Sequence, residues 1–144
     1  KQIPKVFFDD KKVQLNIIAG KQNNEVGLIR TQTDVNVFTV KAAKGGKIDL
    51  EIPQNHQSLI YLLDGEILVN DSEVLRKGEN QMITFHQDGN TIQFEAKKES
   101  TILLLSGVPI KEKISQYGPY VMNTQTEILE AMRDYQQGKM GYLY

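Results

Sequence analysis

Two histidines, His56 and His86, are the only imidazoles in the chain, and cysteine is absent. A metal centre needs several donors converging on one point, usually three or more side chains. His56 sits in the polar turn Pro53-Gln-Asn-His-Gln57, and His86 follows the separate apolar run Met82 to Phe85. One reading makes them a two-His site completed by Glu or Asp. The other makes both of them surface or rim histidines with ordinary hydrogen bonds. Gln54 and Ser58 flank His56 and could line a small polar pocket. Against that stands a filled interior built from Ile52, Ile60, Leu62 and Met82. Without cysteine there is no thiolate nucleophile, no Cys-type zinc site and no disulfide framework.

The glycines around this turn carry a spacing. From Gly46 to Gly65 the interval resembles the first motif of the cupin superfamily: Gly, five residues, His-x-His, three or four residues, Glu, six residues, Gly. In this frame the histidine positions fall on Ile52 and Gln54, and the glutamate position falls on Ser58. The second motif, counted beyond Gly78, puts its histidine on Gly89 and its asparagine on Gln93. A cupin holds a redox metal with imidazole and carboxylate donors and leaves positions open for oxygen and substrate. Isoleucine donates nothing, so the expectation is a cupin barrel with no metal ligand and no catalytic residue of its own.

The elements that would position these residues are mostly strands. Val13, Leu15 and Ile17 alternate with Gln14 and Asn16, the period of a half-buried strand. Further runs at Val35–Val40, Ile48–Ile52, Leu59–Leu63, Ile67–Val69, Val74–Leu75, Met82–Phe85, Ile92–Phe94 and Ile102–Leu105 are divided by Gly, Asn and Asp. Many short, evenly spaced strands indicate a sandwich or barrel. Leu59–Leu63 is apolar on both faces, as a strand between two layers would be, and Asp64-Gly65 reads as a two-residue hairpin. After Gly107 the pattern changes. Thr124 and Glu127 form a capping box, with Ile128, Leu129, Met132 and Tyr135 at helical spacing and Gly138 at the C-terminal stop.

The segments Gly107-Val-Pro109, Tyr117-Gly-Pro-Tyr-Val-Met-Asn-Thr124 and Asp134-Tyr-Gln-Gln-Gly138 closely resemble the C-terminal end of pirins. Ile3-Pro4-x-Val6, Val13 to Gly20 and Tyr61-Leu-Leu-Asp-Gly-Glu66 are similar to that family's second half. Pirins are bicupins, so the resemblance implies an N-terminal barrel carrying iron and a C-terminal barrel without it. It associates bacterial members with quercetin 2,3-dioxygenase activity and the animal protein with transcriptional co-regulation. The His-rich iron motif has no counterpart in these residues.

The resulting expectation is a mainly-β, cupin-type antiparallel barrel (a jelly-roll-like double-stranded β-helix) with one C-terminal α-helix. Residues 1–12 would be the remnant of an interdomain linker, 13–107 the barrel, and 108–144 a connection and helix packing on the barrel or a partner. The chain begins at Lys1 rather than methionine, which together with the half-family match suggests a truncated or cut chain. Its role would be structural, completing a two-barrel assembly and shielding the other barrel's site. The alternatives are part of a quercetin 2,3-dioxygenase-type pirin whose iron lies outside this chain, and a small-ligand-binding apo-cupin. The expected partner is the N-terminal cupin half or a second copy, met through Tyr117, Tyr120, Met122, Ile128, Leu129, Met132 and Tyr135. With a net charge of -1 there is no basic excess for direct nucleic-acid binding. No apolar run approaches the ~18 residues of a membrane span, and a cytoplasmic location is expected.

Overall fold

Alternation of side chains along extended backbone sets most of the architecture. The computed structural model describes residues 2–141, and the chain divides into two compact units with bounds Lys1–Pro109 and Ile110–Tyr144. The first unit opens with β1 (Lys5–Phe8), β2 (Val13–Ala19), β3 (Lys21–Gln22), β4 (Glu25–Val26), β5 (Val35–Ala42) and β6 (Lys47–Glu51). It continues with β7 (Gln57–Asp64), β8 (Glu66–Val69), β9 (Glu73–Arg76), β10 (Met82–Thr84), β11 (Thr91–Ala96) and β12 (Ser100–Gly107). Six strands form one sheet in the order β1-β2-β5-β12-β7-β10, and four form another in the order β6-β11-β8-β9. Every pairing in both sheets is antiparallel. This is the mainly-β, jelly-roll-like barrel with one C-terminal helix that the residues led us to expect.

The inward positions of both sheets meet in one apolar core. Leu15, Phe38, Val40, Ile60, Leu62, Ile102 and Leu104 from the larger sheet pack with Ile48, Leu50, Ile67, Leu75 and Phe94 from the smaller. Each side chain of this size removed from water contributes about 1.5–3 kcal/mol. Ile52, Ile60 and Leu62 join this core as expected, but Met82 is 54% exposed. The register explains the difference: Met82 pairs with the outward Tyr61, so Ile83, paired with Ile60, is the residue that turns inward. β7 also departs from its expected two-sided burial, because Tyr61 and Leu63 remain 38% and 45% exposed.

Asp64-Gly65 is not a hairpin. β7 belongs to the six-stranded sheet and β8 to the four-stranded one, so Gly65 is the corner where the chain changes sheets. Its φ is +93°, and a Cβ there would lie 2.3 Å from the Glu99 carbonyl oxygen. The corner is tied by Ser100 Oγ, which accepts from the Glu66 N–H at 3.1 Å. Lys98, and then Arg76, hold the Glu66 carboxyl below the usual glutamate range, against the opposing effect of partial desolvation. The hairpin lies further on: Asn70 and Asp71 take left-handed φ values of +48° and +55° between β8 and β9.

Residues 5–8, placed by the sequence in a linker, are an edge strand pairing with β2 from Lys5↔Asn16 to Phe8↔Val13. Val6 and Phe8 supply the reason, since both pack against the core. In the second unit, β13 (Ser115–Tyr117) and β14 (Tyr120–Met122) form a hairpin that contacts α1 (Gln125–Gln136). The capping box is complete: the Glu127 N–H donates to Thr124 Oγ1 at 3.2 Å, and the Thr124 N–H donates to Glu127 Oε2 at 2.8 Å. Gly138, at φ +70°, follows the last turn. No helix among the described residues is long and apolar enough to cross a membrane.

Gly65→Ala is expected to cost about 3 kcal/mol, combining left-handed strain with a backbone collision. Gly45→Ala, at φ +80° with open space around it, should cost only about 1–2 kcal/mol. Urea unfolding of both variants checks this, and equal losses would contradict it.

Candidate functional site

Polar residues enter the core at one end of the barrel. Asn36 on β5 and Ser106 on β12 occupy inward positions and are buried, and the two are paired in register. Asn36 Oδ1 accepts from the Lys21 N–H at 3.2 Å, and Asn36 Nδ2 donates to Ser106 Oγ at 3.0 Å. His56, just ahead of β7, places Nδ1 at 3.1 Å from Ser106 Oγ. With Asn36 donating to Ser106, the serine hydroxyl can still either donate to Nδ1 or accept from it, according to the imidazole tautomer. Nε2 faces Asp34 Oδ2 at 3.5 Å. The contact falls short of a hydrogen bond, and Nε2 is the buried side-chain atom left without a partner among the described residues. Hydrogen bonds thus link Lys21, Asn36, Ser106 and His56 in turn, and the chain stops at His56 Nε2, short of the Asp34 carboxylate.

This places His56 differently from the sequence reading. Its side chain is fully buried rather than at the rim, because Ser106 and Asn36 provide a polar niche between strands. His86 is exposed, yet it and His56 line the same cleft of about 240 Å³ at the barrel mouth, with Ile52, Ser58, Phe85 and Ile92. Gln54 and Ser58, expected to share a pocket, do not. Ser58 is buried and faces this cleft, whereas exposed Gln54 opens with Asp34 and Gln22 onto a polar depression of about 560 Å³. Their even spacing does not bring them together, because Gln54 lies in the turn after Pro53 and Ser58 is already in β7. Sequence reasoning missed Asn36 and Ser106. The signal was present, as a polar residue at an inward position of an otherwise apolar alternation.

Of the metal positions in the cupin frame, Ile52 is core carbon, Gln54 is exposed in the turn, and Ser58 offers a hydroxyl. Gly89 and Gln93 of the second motif are both exposed. Among the described residues no group of three or more His, Cys, Asp or Glu is placed to hold a metal. The residues do not fit an iron centre.

Residues 37–141 match the family described as the pirin C-terminal cupin domain. The chain belongs to that family. It is 32% identical to Pirin of Rattus norvegicus over 143 residues, covering 98% of this chain and 48% of the rat protein. The Pirin-like protein of Solanum lycopersicum is 29% identical and is covered to the same share, 48%. A crystal structure of quercetin 2,3-dioxygenase from Acinetobacter baumannii superposes with a TM-score of 0.87 at 34% identity, covering 99% of this chain and 49% of that one. The chain spans about half the length of the pirins it matches.

The pirin-like C-terminal segment carries the expected contact residues in three states. Tyr117, Leu129 and Tyr135 are exposed, Tyr120, Met122 and Met132 are half-buried, and Ile128 is buried. The apolar stripe of α1 that is turned inward is Ile128 with Ala131, one turn apart, so Ile128 is not available to another molecule.

Ser106→Ala strands both Asn36 Nδ2 and His56 Nδ1 in the interior and is expected to cost about 1–3 kcal/mol. Asp34→Asn, at a largely exposed residue, should stay within about 0.5 kcal/mol. Chemical denaturation of the pair measures this, and a neutral Ser106→Ala would show that the polar chain stabilises nothing.

Proposed function

We propose that this pirin C-terminal cupin is a structural, metal-free barrel that completes a two-barrel assembly and performs no redox chemistry itself. The observation that carries the reading is the apolar filling around Ile52, at the position where the cupin frame places its first ligand. Holding Fe(II) needs imidazole and carboxylate donors aimed at one point, and His56 is already committed to Ser106. The likeness to quercetin 2,3-dioxygenase supports a second statement: if the whole protein oxidises a flavonol, the iron and its ligands lie outside these residues. The expected partner is accordingly the other cupin half or a second copy, and the balanced charge and absence of cysteine fit a cytoplasmic setting.

A small-ligand role is the competing reading, favoured by the cleft between Ser58 and His86. That cleft holds about 240 Å³, but a depression of about 610 Å³ that shares Ser58 and Phe85 with it and is also lined by Asn36 and Ser106 lies within the usual range for small ligands, so the preference for the structural reading rests on the donor set and not on volume. Oxygen uptake with quercetin, after anaerobic addition of Fe(II) to the purified chain, tests the proposal. The expected rate equals that of free iron at the same concentration. Turnover well above that control, at one active site per chain, would contradict it.

A further inference from the structure

The dipeptide Asp-Gly occurs twice, at Asp64-Gly65 and at Asp88-Gly89. This pair of residues can rearrange with water as the only other reactant. The glycine backbone nitrogen attacks the aspartate Cγ, a C–N bond forms, and the carboxyl oxygen leaves as water. The succinimide then takes up water at either carbonyl. One opening restores aspartate, and the other gives isoaspartate, in which the main chain runs through the side-chain carbon. Mass and formal charge are unchanged. Glycine favours the attack because it has no Cβ to hinder ring closure. The step also needs a carboxyl that can become neutral and a backbone free to turn its nitrogen onto Cγ.

We propose that Asp88 is a site of this modification and that the fold protects Asp64 from it. Asp64, at the end of β7, is held in place. Lys77 contacts its Oδ1 at 3.1 Å, and the Gly65 N–H donates to the same oxygen at 2.9 Å. These contacts, the lysine's first, keep the carboxyl below the usual aspartate range, so the neutral acid is scarce. A peptide nitrogen can attack only through electron density above or below the amide plane. Here its hydrogen points at Oδ1, so the bond presents the wrong face to Cγ. The backbone is fixed as well. Gly65 is packed so closely that a Cβ there would lie 2.3 Å from both the Glu99 carbonyl oxygen and Ser100 Oγ. Turning its nitrogen would break the corner between the sheets.

Asp88 has none of these restraints. It lies in the turn between β10 and β11, where residues 86–90 are all exposed. Among the described residues it enters no ion pair. Nothing lies within 4 Å of the place a Gly89 Cβ would take. The turn is anchored around Asp88 and not at it. The Phe85 N–H donates to the Ser58 carbonyl at 3.0 Å, Gln87 Nε2 donates to the Asn55 carbonyl at 3.2 Å, and the Ile52 N–H donates to the Asn90 carbonyl at 2.8 Å. Isoaspartate adds one carbon to the main chain just ahead of that last contact. Asp88 and Asn90 both line the cleft of about 240 Å³, so the change alters the barrel mouth and not the core. The inference is independent of whether the barrel holds metal.

The test is ageing of the 144-residue chain at neutral pH, folded and in urea, followed by trypsin. Cleavage after lysine and arginine puts Asp64 in peptide 48–76 and Asp88 in peptide 78–97. Isoaspartate is read as methyl transfer from labelled S-adenosylmethionine by a purified isoaspartyl methyltransferase. The unchanged peptide mass separates it from deamidation of Asn80 or Asn90. In the folded chain label is expected in peptide 78–97 and not in 48–76, and in urea it is expected in both. Asp88→Glu, whose longer side chain closes the ring poorly, should remove the folded-state label, and Gly89→Ala should slow its appearance. Equal labelling of the two peptides in the folded chain overturns the protection of Asp64. An unlabelled peptide 78–97 in the folded chain, or label that survives both substitutions, overturns the site.

Discussion

Carbon packed between two antiparallel sheets is the constraint on which the rest of this barrel depends. Phe38, Leu104 and Ile60 on one side and Leu50, Ile67 and Phe94 on the other pack into one apolar core, which Ile52 joins. Protein interiors are as dense as organic crystals, so a donor cluster can enter such a core only by displacing apolar volume. Burial of a single side chain of this kind contributes about 1.5–3 kcal/mol. An isolated donor turned into it would also bear its own desolvation penalty. Ile52 at the first ligand position therefore reflects the same packing that holds the sheets together.

The barrel opens toward solvent at one end, and there the packing gives way to hydrogen bonds. Asn36, Ser106 and His56 link β5, β12 and the approach to β7, and the Asp34 carboxylate lies beyond them at 3.5 Å from His56 Nε2. Each buried polar group in such a network is costly when left unpaired, and among the described side chains His56 Nε2 is the buried atom that bears this cost. The arrangement uses the one buried histidine for cohesion between strands. That assignment of His56 leaves exposed His86 without a buried imidazole to share a ligand with.

Much of the architecture was legible before any coordinates. Period-two runs located most strands of the two larger sheets, and Thr124 with Glu127 located the helix, because both patterns depend on local geometry alone. The edge strand β1 and the short pairs β3–β4 and β13–β14 were not read from the sequence. What depends on pairing between distant strands was not legible. Gly65 looks like a hairpin glycine, yet it marks a change of sheet, since only the approach of Glu99 and Ser100 distinguishes the two. Met82 belongs to an apolar run in sequence, and its outward direction follows from its register with Tyr61. Gln54 and Ser58 are four residues apart, but a turn and the start of a strand send them to different depressions. His56 reads as a solvent-facing turn residue until Ser106, fifty positions away, is placed beside it. The apolar double face of β7 was legible as composition.

The family relationship covers a C-terminal cupin and about half the length of its relatives. That makes the donor inventory of this half the central question about its chemistry. The most direct measurement is metal content per polypeptide by mass spectrometry after equilibration with Fe(II) or Ni(II) and dialysis. The account predicts far less than one bound ion per chain. One tightly retained equivalent, abolished by replacing His56 and His86, would contradict it.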